Sequence, residues 1–179
     1  MPNFPLTSGC PGIPRRAAVA APAAASPDHQ RLTHPAVEDR TAAPENRGET
    51  LTGKPINLAD HRGKTLATNV RGSWCAAEAP HPRKVSEDLR DQDTAFLKTN
   101  THDATKDVAH RFKDTYGLTC PSLGDRNGRQ LPKVKGTLPP PATPTTLVID
   151  HPGRVAARRL QGLSETELRS LTDPVLKEG

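Results

Sequence analysis

The thiol best placed for chemistry in this 179-residue chain is Cys75. It closes the run Gly72-Ser73-Trp74-Cys75, which follows the alternating segment Leu66, Thr68, Val70 and precedes a helix candidate carrying Val85 and Leu89. A sulfur held where a strand gives way to a helix start gains from the unpaired N–H groups and the positive end of the helix dipole. Its thiolate is stabilised and becomes a nucleophile near neutral pH. Glu78 stands about one turn further on, where the same dipole favours a carboxylate. Of the other thiols, Cys120 reads as a small buried filler. It could pair with Cys75 only if their Cα atoms came within about 7 Å. His61, His81, His102, His110 and His151 form no structural zinc spacing with Cys or with each other, so no metal is expected. There is no Gly-rich phosphate loop and no nucleophile elbow, so no cofactor is expected either.

The elements that would hold Cys75 alternate in type. Leu66, Thr68 and Val70 share one face of a first strand, and Thr94 to Thr99, centred on Ala95-Phe96-Leu97, makes a second. The helix between them carries Val85 and Leu89 four apart, and Pro80 and Pro82 are expected to delay its start to about Arg83. Ala104, Val108, Phe112 and Tyr116 recur every four residues and predict a second helix, stopped by Gly117. The segment Gly124-Asp125-Arg126-Asn127-Gly128 reads as a turn with its corner at Asn127-Gly128. Thr145 to Asp150, the turn Asp150-His151-Pro152-Gly153 and the return through Arg154 to Leu160 predict a hairpin. Ser164 and Glu167 have capping-box spacing inside the staple Leu163/Leu168, so a last helix starts near Ser164, and Pro174 ends it or follows its end. This order implies a three-layered α/β domain: a mixed central sheet, helices on both faces, and a right-handed crossover in its first half.

The same residues resemble the thioredoxin-like thiol-disulfide reductases of the TlpA and ResA type, whose motif is Trp-Cys-x-x-Cys. The likeness runs from about Gly48 to Leu176. It rests on Gly48-Glu49-Thr50-Leu51, Asn69-Val70-Arg71-Gly72-Ser73-Trp74-Cys75, Glu78-Ala79-Pro80, Thr99-Asn100-Thr101, Tyr116-Gly117-Leu118, Pro121-Ser122-Leu123 and the stretch Thr143-Pro144 to Asp150. The resemblance implies a thioredoxin-like fold and reduction of protein or peptide disulfides, with an external thiol or a membrane electron donor as reductant. It implies a cis peptide bond between Thr143 and Pro144, with these two and Trp74 on the substrate-docking surface. It also implies that Glu78 relays a proton to or from Cys75.

Departures from the family pattern bear on activity. Cys75 is followed by Ala76-Ala77-Glu78, so the second cysteine of the motif is missing. Three residues are absent between Trp74 and Glu78, and Cys75 fits the first family cysteine by its distance from Trp74 and the second by its distance from Glu78. A lone thiolate stops at the mixed disulfide unless an outside thiol resolves it. The expectation is therefore an impaired single-cysteine oxidoreductase, with a noncatalytic thioredoxin-fold peptide- or protein-binding module as the alternative. Arg71, where the family has an apolar or aromatic residue, should weaken the core. Pro82 and Pro132 break a helix and a strand position, and Cys120 stands where the family commonly has an aromatic.

Composition sets the remaining bounds. Leu, Ile, Val and Phe fill 32 of 179 positions, about 18%, which predicts a thin core. Residues 1–47 hold 8 of the 19 prolines and 10 alanines without periodicity and read as a disordered tail, leaving 48–179 as the domain. The net charge of +5 is interspersed and only five residues are aromatic, so no nucleic-acid partner is expected. No apolar run approaches a membrane span. The resemblance implies an extracytoplasmic protein. Leu6-Thr7-Ser8-Gly9-Cys10 resembles a lipoprotein cleavage box, though without the apolar region that precedes one; if the tail is no signal, the protein is cytoplasmic.

Overall fold

The computed structural model describes residues 32–73, 80–89, 92–129 and 143–179. Within them the strands are β1 (Leu32–Thr33), β2 (Arg47–Glu49), β3 (Pro55–Asn57), β4 (Thr65–Arg71), β5 (Thr94–Thr101), β6 (Ser122–Asp125), β7 (Thr145–Ile149) and β8 (Val155–Arg159). The α-helices are α1 (Pro80–Asp88), α2 (Lys106–Thr115) and α3 (Glu165–Leu176). The main sheet runs β1-β8-β7-β4-β5-β6, and β2 and β3 form a separate antiparallel pair. β4 is central, parallel to β5 and antiparallel to β7, and β5 is parallel to β6. The sheet is therefore mixed.

Alternation along the strands sorts side chains onto two faces. Ala67, Asn69 and Arg71 align with Phe96, Lys98 and Asn100, and Ala67 with Val148. This face receives Val85 of α1, Leu89 just past its end, and Leu168, Leu171 and Val175 of α3, which pack on Val148, Ala157 and Phe96. Phe112 of α2 reaches the same face, because its ring lies under the Arg71 guanidinium, 4.2 Å from carbon to ring centroid. Right-handed crossovers stepping one way across the sheet, β4-α1-β5-α2-β6, put both helices on one side in this manner. On the opposite face Leu66, Leu97 and Ile149 are covered by Ile56 of β3 and by Leu58 of a short 3-10 helix, Leu58–His61.

Local chemistry fixes most element ends. Ser164 caps α3 with a full capping box, its hydroxyl accepting from Glu167 N–H while the Glu167 carboxylate takes Ser164 N–H. Gly117 follows α2 with φ +57°, and two bonds close the end: Gly117 N–H to Asp114 C=O and Leu118 N–H to Lys113 C=O. That pair is a Schellman closure, which the left-handed glycine permits. The β7-β8 turn closes through Gly153 N–H to Asp150 C=O.

Four elements differ from the expectations. α1 includes both Pro80 and Pro82, because the first-turn N–H groups they lack have no intrahelical partner to lose. α3 continues past Pro174 to Leu176, giving up one backbone bond near its end while Lys177 N–H closes on Pro174 C=O. Gly124 and Asp125 belong to β6, so the turn begins only at Arg126, closed by Gly128 N–H to Asp125 C=O. Residues 32–47, which composition places in the tail, contribute β1 against β8. They also supply Arg40, whose buried guanidinium binds Asp150 and, through two bonds, Glu178.

Candidate active site

β4 and β7 are antiparallel neighbours in the sheet. Val70 is paired with Thr145, so Thr143 and Pro144 lie beside the end of β4, where the chain leaves the sheet through Gly72 and Ser73 towards Cys75. The Thr143–Pro144 peptide bond is cis, and both residues are half-buried. Asn69 reinforces the pairing by donating from Nδ2 to the Thr146 hydroxyl at 3.0 Å. Trp74, Cys75 and Glu78 lie outside the described residues, as does Pro132.

What holds the exit from β4 is a residue that sequence reasoning missed. The Asp103 carboxylate, buried at the end of β5, accepts from Ser73 N–H at 3.0 Å and from the Ser73 hydroxyl at 2.5 Å. The neighbouring His102 adopts the left-handed conformation, φ +58°, which turns the chain sharply out of β5. Both oxygens of one carboxylate thus fix the backbone two residues before Cys75. Asp103 also borders a cleft of about 500 Å³ with Asn100, Thr105, Lys106, Asp125 and Arg126 on the β5-β6 side.

Beneath this exit the face is positively charged. Arg71 and Lys98 are 5% and 4% exposed. Arg71 is accommodated by its stacking over Phe112, a cation–π contact of about 0.5–2 kcal/mol, which offsets part of the weakening expected there. Burial pushes the Lys98 ammonium down to about 8; Cys120 opposes that push, and Arg71 and Lys113 add to it. Cys120 is a free, buried thiol that donates to the Ser86 hydroxyl on α1 at 3.2 Å, and the Ser86 hydroxyl donates in turn to Arg83 C=O at 2.7 Å. It fills the space under α1, the role read for it as a small buried residue.

Among the histidines, His110 bonds Leu51 C=O through Nε2 at 3.0 Å. No group of His, Cys, Asp and Glu placed to hold a metal is found among the described residues.

The fold and the motif can be compared with known proteins. Residues 40–158 match the model of a family described as the AhpC/TSA family. The chain is 31% identical over 123 residues to thiol-disulfide oxidoreductase ResA of Geobacillus thermodenitrificans, covering 67% of this chain and 68% of that one. It is 27% identical over 133 residues to ResA of Halalkalibacterium halodurans, with 73% of each covered. Among solved structures, a DsbF homologue from Corynebacterium diphtheriae superposes with a TM-score of 0.72 at 30% identity, covering 83% of this chain and 96% of that one. A secreted thiol-disulfide isomerase from Corynebacterium glutamicum does so at 0.74 and 26% identity, covering 85% and 95%. With the strand register, the Pro144 loop and these matches in agreement, the chain is a thioredoxin-fold member of the AhpC/TSA family, in its group of thiol-disulfide oxidoreductases.

Proposed function

We propose that the protein exchanges disulfides with protein or peptide substrates through Cys75 as the single thiol of its motif. The observation that carries this reading is the β4-β7 register, which sets Pro144 beside the strand end that leads to Cys75. In the first step the Cys75 thiolate attacks one sulfur of a substrate disulfide. A Cys75–substrate mixed disulfide forms, and the other substrate sulfur leaves as a thiolate. A dithiol enzyme would then use its second cysteine; here Ala76 and Ala77 follow, so an external thiol resolves the adduct, restoring the Cys75 thiolate and carrying the substrate sulfur away as a new mixed disulfide. Trp74, Thr143 and Pro144 form the docking surface in this scheme, and Glu78 exchanges the proton with Cys75. An extracytoplasmic location suits the chemistry, since substrate disulfides persist there, and one structural relative is described as secreted.

The missing second thiol also favours a second reading, a docking module that captures partners beside Pro144 without turnover. An insulin disulfide-reduction assay with and without glutathione separates the readings. Turnover that needs both glutathione and Cys75 supports the monothiol enzyme. Turnover without glutathione points to a dithiol route, and no turnover, together with partner capture that survives Cys75→Ser, establishes the docking module. Alkylation of Cys75 at pH 6 checks the nucleophile itself: a rate no faster than that of an ordinary thiol with pKa about 8.5 would exclude it.

A further inference from the structure

The face under the β4 exit contains a small internal space lined by Arg71, Lys98, Lys113, Asn100, Phe112 and Ser122, with Leu118 at its apolar wall. It has room for about one water-sized body. Three of the lining groups are cations, and among the described residues no carboxylate lines it. Lys98 Nζ is buried with no hydrogen-bond partner, on a residue 4% exposed. Arg71 and Lys113 repel it, and the nearby Cys120 thiol opposes the effect of burial. A buried ammonium without a partner is costly, and a counter-charge is what removes that cost. The surrounding donors, the Asn100 amide and the Ser122 hydroxyl, can orient towards an anion as readily as towards water.

We propose that this space binds one small monovalent anion of chloride's class, held by the Lys98 ammonium and flanked by Arg71 and Lys113. The proposal is independent of the redox reading, since no step of disulfide exchange passes through the site. The anion would be monatomic or nearly so, because Phe112, Leu118 and the β5 backbone leave no space for a phosphate or a carboxylated metabolite.

The test is thermal unfolding of the full chain in sodium chloride against sodium gluconate at equal ionic strength, for wild type and Lys98→Met. A bound anion should raise the wild-type Tm by about 3–6 °C for each tenfold rise in chloride above its Kd, and gluconate should not. Lys98→Met should lose that chloride-specific rise. An equal response to both salts shows general screening and overturns the proposal, as does an unchanged chloride response in the variant. A wild-type Tm indifferent to chloride likewise overturns it. Crystals of the wild type grown in bromide give a measurement that does not depend on the variant folding. An anomalous peak within hydrogen-bond distance of Lys98 Nζ supports the site, and an empty site at saturating bromide refutes it.

Discussion

Replacing Lys98 by Met is expected to stabilise the protein at neutral pH. Lys98 sits in mid-β5, 4% exposed, and burial brings its ammonium from 10.5 down to about 8. In the unfolded chain it regains the ordinary value. Between about pH 8 and 10.5 the unfolded state therefore binds more protons, and wild-type stability rises with pH across that window. Below about pH 8 both states are protonated, and the cost of the buried charge is present in full. At about 1.4 kcal/mol per pH unit, that cost is at most about 3–4 kcal/mol. Methionine keeps the length and flexibility of the side chain while removing the charge, so a gain of about 2 kcal/mol at pH 7 is expected, equivalent to a Tm rise of about 4–8 °C. Urea unfolding in gluconate buffer at pH 7, 9 and 10.5 measures it without chloride. The advantage of the variant should shrink through the window and vanish near its top. Arg71, Lys113 and Cys120 face Lys98 in both proteins. The comparison is repeated with Cys120→Ser in both backgrounds, which removes whatever that thiol contributes. A variant less stable than wild type at pH 7, or an advantage that is the same at pH 7 and 10.5, would refute the reasoning.

Three further substitutions probe the supports of the site. Asp103→Ala leaves Ser73 N–H and its hydroxyl without their acceptor; it should cost about 1–3 kcal/mol and change the alkylation rate of Cys75, whereas an unaltered rate would show that the clamp does not reach the thiol. Arg40→Ala removes the tie between residues 32–47 and the end of α3 and should cost about 2–4 kcal/mol in urea unfolding at pH 7. Hydrogen bonding to Arg40 holds the Glu178 carboxylate below its ordinary 4.5, so the pair stabilises the fold above that pH and its contribution is lost as the pH falls through the folded value. The Arg40→Ala protein should accordingly lose less stability than wild type on acidification below about 4.5. Ser164→Ala breaks the capping box of α3 and should lower stability by about 1 kcal/mol, read from the urea midpoint.

The elements legible in the sequence are those whose determinants are local. Leu66, Thr68 and Val70 alternate, and β4 forms there. Ser164 and Glu167 cap each other across three residues, and Gly117 supplies the left-handed turn that its own backbone allows. Strands β1 and β6 were not legible, because two to four residues carry too little period to be told from a loop. Each exists by pairing with a strand already formed, β8 and β5 respectively.

The order of residues by itself determined the family of chemistry, a thiol motif between a strand and a helix in an α/β alternation, and the proline that leads β7. Tertiary structure alone decided which polar side chains became structural or charged interior groups. Asp103 reaches Ser73 across 30 residues, Cys120 reaches Ser86 across 34, and Lys98 of β5 shares its surroundings with Arg71 of β4, Phe112 of α2 and Ser122 of β6. Those contacts depend on which strands become neighbours. Neighbours are chosen by the summed burial of the whole core, a quantity no local window of sequence contains.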